Sequence, residues 1–331
     1  MKSTVEIFSE LGMRLSRFGS DEVSRSAMVR AVAENEWFAV GDIRYAIDAI
    51  CREMLDAEKI ENWLSRYPST SHNESKRVAL IVAGNIPLVG FFDLMCVLAS
   101  GNTPFVKPSS KDKALMEYVQ QLLLEIEPSL RIEKYVEGAD YDAVIATGGE
   151  SANLYFRSAF EGVPSLLRGS RHSVAVLTGR ESKEVLNGLA DDIFTYSGLG
   201  CRNVSLVFVP KGYKLSLPTR KMSPAYHNNY LQCRALLTMH GVKFQDLGEV
   251  VIVKQPRAEF PRFLSQINVV EYSDLSAVQQ WLAENDELLQ CVVSEIDGLH
   301  SRCVPFGQAQ SPTLFDYADD RDTMQFLALI D

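Results

Sequence analysis

The sequence has no Cys-x-x-Cys pair. Its six cysteines, at 51, 96, 201, 233, 291 and 303, are scattered without framework spacing, which excludes a disulfide scaffold and argues for a reducing compartment. It lacks a basic excess: 33 Lys and Arg stand against 43 Asp and Glu, for a formal net charge of −10. A general nucleic-acid-binding surface, which needs clustered cations to meet phosphates, is therefore disfavoured, although a local basic pocket for a phosphorylated ligand is not. Residues 1–20 alternate charged with apolar side chains and carry no secretory apolar core. The longest apolar stretch, residues 86–99, is broken by Pro87, Gly90 and Asp93 and is too short to span a bilayer. A cytoplasmic location is expected. Internal repeats and low-complexity tracts are missing too. What remains is an ordinary globular balance, 46% hydrophobic and 23% charged over 331 residues, with enough chain for a core that needs neither metal nor disulfide.

The first seventy or so residues read as helices. Val5, Ile7, Phe8, Leu11 and Leu15 recur at helical spacing, as do Ile43, Ile47, Ile50 and Met54. A polar stretch at residues 69–76 reads as a junction. From Arg77 the texture changes to strands alternating with helices. Strands are expected at residues 78–82, 103–107, 130–135, 143–146, 173–177, 204–209, 250–253, 268–270 and 289–293. Helices are expected between them, near residues 87–100, 112–125, 184–194, 227–240 and 275–285, with another from about Ser151. That alternation implies a doubly wound α/β sheet. The acidic run from Asp316 to Asp322 reads as a solvated face.

Four segments carry candidate chemistry. Gly84-Asn85-Ile86-Pro87 lies where a strand ends and a helix begins, the edge at which α/β sheets bind ligands. Asn85 either caps the helix or points its amide at a developing oxyanion. Lys107, Ser109 and Ser110 follow the next strand and offer donors to ribose hydroxyls or phosphate. Gly148 and Gly149 lie between a strand and a helix, where a pyrophosphate can approach backbone N–H groups or an ordinary turn simply needs glycine. Cys201 is flanked by Gly198, Gly200 and Arg202. Small residues leave its thiol reachable, and a neighbouring cation favours the thiolate. A thiolate attacking a thioester gives an acyl-enzyme and splits a reduction into two easier steps. Arg171 and His172 suggest a relay or a phosphate contact, with a structural histidine as the plainer reading.

Together these segments carry a resemblance. Residues 78–109 (VALIVAGNIPLVGFFDLMCVLASGNTPFVKPS) resemble the core of the aldehyde dehydrogenase superfamily, with its Asn-x-Pro, Ala-x-Gly-Asn-Thr and Lys-Pro-Ser turns in order. Thr147-Gly148-Gly149-Glu150 resembles that family's Thr-Gly-Ser segment, and Gly200-Cys201-Arg202-Asn203-Val204-Ser205 sits where its catalytic cysteine belongs. Within the superfamily the chain looks most like the LuxC-type fatty acyl-CoA reductases, whose C-terminal segment Pro305 to Gln310 also resembles.

The resemblance implies an aldehyde-dehydrogenase-like α/β fold of two Rossmann-type doubly wound lobes behind a helical N-terminal segment. Residues 1–76 would form that segment, 77–195 the nicotinamide-binding lobe and 196–331 the catalytic lobe with its tail. It implies a reductase that forms an aldehyde from an acyl-CoA or acyl-carrier thioester. Cys201 would be the nucleophile and Asn85 the oxyanion donor. Lys107, Ser109, Ser110, Gly148 and Gly149 would contact NADPH, or NADH as the alternative. A homo-oligomer and an acyl-donor partner protein are implied as well, and no metal.

Three departures refine this. Where hydrolysing relatives carry a water-activating carboxylate, this chain has Leu167, so an acyl-enzyme should persist until a thiol or hydride arrives. Ser110 replaces a ribose-binding carboxylate, with Lys111 and Lys113 nearby, which favours the 2′-phosphate of NADPH. The chain is shorter than typical members, and the family's Glu-x-Phe cofactor contact has only Gly248-Glu249-Val250 as a counterpart. An acyltransferase or thioesterase using the same acyl-cysteine without nicotinamide is the alternative, and a non-catalytic partner subunit a third reading.

Overall fold

The computed structural model describes residues 2–67 and 74–330; most of the expected junction at 69–76 lies outside them. The chain forms two compact units, one of residues 1–170 together with 311–331, the other of residues 171–310.

The first unit opens with four helices, α1 (Thr4–Leu15), α2 (Glu22–Glu34), α3 (Val40–Met54) and α4 (Ala57–Leu64). Ser3 and Glu6 close a capping box at the start of α1, and Asp21 and Asp56 cap α2 and α4, so each start satisfies backbone donors that would otherwise lack partners. Then follow β1 (Arg77–Ile81), α5 (Phe91–Ala99), β2 (Thr103–Lys107), α6 (Lys113–Ile126), β3 (Glu133–Lys134), β4 (Ala143–Thr147), α7 (Glu150–Ala159) and β5 (Ser165–Arg168). The five strands pair in parallel in the order β3-β2-β1-β4-β5. The strand expected over 130–135 shrinks to Glu133–Lys134, both exposed at the sheet's edge, where little apolar burial rewards a longer pairing. β5 was not foreseen.

The second unit runs β6 (His172–Val176), α8 (Lys183–Phe194), β7 (Val204–Pro210), α9 (Pro224–Met239), β8 (Gln245–Asp246), β9 (Val251–Gln255), β10 (Gln266–Tyr272), α10 (Leu275–Glu284), β11 (Leu289–Val293) and β12 (Cys303–Val304). Its sheet has the order β12-β11-β6-β7-β10-β9-β8, parallel except for β8 against β9. The tail returns to the first unit and ends in α11 (Thr323–Ala328).

The expected lobe boundary at 195/196 thus falls at 170/171 instead. β6 hydrogen-bonds to β7 and β11, and those ladders commit residues 172–194 to the second unit. Residues 1–76 are no separate segment either. Leu11, Ile43, Ile47 and Trp63 share one core with Leu80, Leu94, Val119 and, from the tail, Leu314 and Leu327. Burying each such side chain contributes about 1.5–3 kcal/mol, so the helices, the sheet and the tail are held by a common apolar term. Among the described residues no helix is long and apolar enough to cross a membrane.

Candidate active site

In the first unit the sheet order reverses at β1, whose neighbours are β2 and β4. Such a switch point leaves a crevice at the carboxyl ends of the strands. The turns after β1, β2 and β4 carry the expected residues to this edge: Asn85, then Lys107 to Ser110, then Gly148 and Gly149. Two of those turns touch. A Cβ at Gly84 would meet the Ser109 side chain at 2.7 Å and the Asp112 amide nitrogen at 3.1 Å, so only glycine lets the Asn85 turn pack on the serine turn.

Helix α5 begins at Phe91 with Gly90 as its cap, so Asn85 lies well outside the capping position and the helix-cap reading of that asparagine falls. The turn is held by other groups. Leu88, at φ 55°, donates its N–H to Asp112 Oδ2 at 2.8 Å, and buried Asn35 donates from Nδ2 to the Gly84 carbonyl at 3.1 Å. Asp112 is fully buried, and burial pushes its pKa up to about 8, the charge of Glu34 adding to the rise. Sequence reading missed both Asn35 and Asp112.

Lys107 is exposed at the end of β2, its Nζ 5.2 Å from the centre of the Tyr135 ring. Ser109 accepts the Lys111 N–H at 3.3 Å. Gly148 has a packing reason of its own, since a Cβ there would meet Ala152 at 2.7 Å and Phe156 at 3.2 Å. Gly149 faces open space and begins α7 with no side-chain cap. An uncapped helix start presents free backbone N–H groups of the kind that bind anions.

Cys201 belongs to the second unit and is half-buried. It occupies the second position of a turn closed by the Asn203 N–H donating to the Gly200 carbonyl at 3.0 Å. Ser173, at the start of β6, donates from its hydroxyl to the Cys201 carbonyl at 2.8 Å. Cys51, Cys96, Cys233 and Cys303 have thiols that burial pushes up, which keeps them protonated and unreactive. His172 stacks on Phe260 at 4.1 Å between ring centres, and burial lowers its pKa; it is a packed neutral ring, not a relay. Glu249 bonds to Nδ1 of His227 at 3.1 Å. Leu167 lies in β5 among apolar neighbours. Among the described residues no group of three His, Cys, Asp or Glu is placed to hold a metal ion.

The family described as acyl-CoA reductase (LuxC) matches residues 24–222, a span that holds Asn85, Lys107, both glycines and Cys201 but stops before Pro305. A comparison with curated proteins finds no match. Solved structures share the fold at low identity. Aldehyde dehydrogenase 21 from Physcomitrella patens, in complex with its product succinate, is 11% identical, with a TM-score of 0.69 over 98% of this chain and 83% of its own. An acetylating aldehyde dehydrogenase from Geobacillus thermoglucosidasius is 12% identical, with a TM-score of 0.59 over 94% of this chain and 82% of its own. An aldehyde dehydrogenase C mutant from Pseudomonas syringae, in complex with NAD+ and octanal, is 12% identical, with a TM-score of 0.63 over 90% and 72%. The fold is that of the aldehyde dehydrogenases, and with more than half of its length matched the chain belongs to the LuxC family of acyl-CoA reductases.

Proposed function

We propose that this reductase works through an acyl-enzyme on Cys201 and takes its hydride from NADPH. The observation that carries the reading is Cys201 itself, half-buried on a glycine-bounded turn inside the matched segment. The Cys201 thiolate attacks the thioester carbonyl, forming a carbon–sulfur bond, and the tetrahedral oxyanion takes hydrogen bonds from the Asn85 amide and the Cys201 N–H. Collapse expels the CoA thiolate, which picks up a proton. Leu167 offers no base to activate water, so the acyl-cysteine is not hydrolysed. Lys107, Ser109, Ser110, Gly148 and Gly149 would hold a nicotinamide, which when bound would supply the hydride that reduces the acyl group. Cys201 then departs as thiolate and the aldehyde is released. Ser110, which adds no negative charge beside Lys111 and Lys113, supports a 2′-phosphate and hence NADPH over NADH.

Intact-protein mass after mixing with acyl-CoAs of several chain lengths, without nicotinamide, tests this beside Cys201→Ala. The expected result is a wild-type adduct, missing in the variant, that discharges as aldehyde when NADPH is added. An adduct indifferent to NADPH would instead mean acyl transfer to another acceptor, and no adduct with any donor would remove Cys201 as the nucleophile.

A further inference from the structure

The segment leading to Cys201 is strained. Tyr196 and Ser197 stand at φ 56° and 55°, and Gly198 follows at 69°, so three successive residues are left-handed between α8 and the cysteine turn. Left-handed backbone is costly for a residue with a Cβ, and both Tyr196 and Ser197 are buried. Such a conformation persists only where its surroundings over-determine it.

Two side chains brace this segment and the cysteine turn. Asn203, 6% exposed, donates from Nδ2 to the carbonyls of Asp192 at 3.0 Å, Ile193 at 3.2 Å and Thr195 at 2.9 Å. Its Oδ1 accepts the Gly200 N–H at 2.8 Å, while its own N–H holds the Gly200 carbonyl. One residue therefore ties the last turn of α8 to both polar groups of the residue before the cysteine. Because a peptide unit is planar, fixing the Gly200 carbonyl also fixes the direction of the Cys201 N–H. Ser173 fixes the next peptide unit, through the Cys201 carbonyl. Asp192, whose carbonyl Asn203 holds, takes the N–H groups of Gly307 and Ala309 on its carboxyl group at 2.7 and 3.0 Å. This extends the brace to the segment from Pro305 to Gln310.

We infer that Asn203 and Ser173 are positioning residues that hold the strained turn and set the geometry of Cys201 for attack on a thioester. The inference rests on Cys201 being the nucleophile. Neither residue touches the acyl group; each acts through the backbone of the cysteine.

The test uses Asn203→Ala and Ser173→Ala in the full chain, with three readouts. These are the rate of acyl-adduct formation from acyl-CoA without nicotinamide, the rate of Cys201 alkylation by iodoacetamide, and amide hydrogen exchange across the protein. Misplacing a reacting group by about 1 Å costs about 10²-fold, and a loss of that size in adduct formation is expected for Asn203→Ala, with a smaller loss for Ser173→Ala. Alkylation by the small, orientation-tolerant iodoacetamide should stay near the wild-type rate. Exchange should quicken in residues 195–203 and not elsewhere. Acylation and alkylation falling together, with exchange raised throughout the second unit, would mean a merely structural role and overturn the inference. So would adduct formation at the wild-type rate in both variants. If Asn203→Ala does not fold, Ser173→Ala, which removes one hydroxyl, decides. A wild-type protein that forms no adduct would sink the nucleophile instead. The inference would fall with it; where wild type does form the adduct, unchanged protection of residues 195–203 in both variants would overturn the inference alone.

Discussion

Asp112 and Asp192 are buried carboxyl groups that accept backbone N–H groups. Burial is the main cause of their raised pKa values, about 8 for Asp112 and about 7 for Asp192, from an ordinary 3.8. The fold therefore prefers the protonated acid. Their favourable contribution is complete below about pH 4, where the unfolded chain is protonated as well. It declines as pH rises from there and is gone above pH 7 to 8, because in that window the unfolded chain binds fewer protons. Asp112→Asn keeps an acceptor for the Leu88 N–H but cannot ionise. In urea titrations it should match wild type near pH 4 and exceed it by on the order of a few kcal/mol at pH 8.5. Parallel stability curves across that range would refute the assignment. Nothing in the sequence separates these two aspartates from the solvated ones. Charge and spacing are visible in a sequence, whereas burial depends on segments far away, and Asn35 and Asn203 escaped notice for the same reason.

At the level of elements, Arg168 joins three of them. Standing at the end of β5, it pairs with Asp93 of α5 and donates to the Thr323 hydroxyl of α11 at 2.7 Å. All three side chains are buried. Removing one partner of a buried pair leaves an uncompensated charge, so Arg168→Leu should cost about 3–5 kcal/mol, and adding Asp93→Asn should recover much of it. Urea denaturation of the single and double variants measures this; a double variant no better than the single would exclude the pair as the cause. The strands that were legible, such as β4, β7 and β11, are mostly apolar stretches buried on both faces. β5 was not, because it has four residues, alternates buried with half-buried positions and ends on an arginine. Asn85 and the turns at Lys107 and Gly148 stand out because each follows a recognisable strand, and in parallel sheets such ends bear the chemistry; Cys201, which precedes β7, stands out instead by its flanking Gly198, Gly200 and Arg202.

The molecule as a whole has separate apolar cores in its two units. Trp63, Leu80 and Leu327 belong to one cluster of the first, and Val174, Leu206 and Val292 to one of the second. Separate cores permit separate melting. Calorimetry should give a total enthalpy larger than the van't Hoff value from the same trace; equality of the two would show a single cooperative unit. The lobe boundary was misplaced in the sequence because β6 and α8 look like one more strand and helix of the same series, and only the ladder to β7 and β11 assigns them. That the first unit is closed by residues 311–331 has a consequence for the nascent chain. Trp63 finds its hydrogen-bond partner in Tyr317, and Leu314 and Leu327 complete the core around it. Leu314, Tyr317 and Leu327 leave the ribosome after residues 171–310. At about 5–20 residues per second the first unit waits several seconds or longer with an open apolar face. Those seconds, rather than the finished fold, are when this chain has most need of a chaperone.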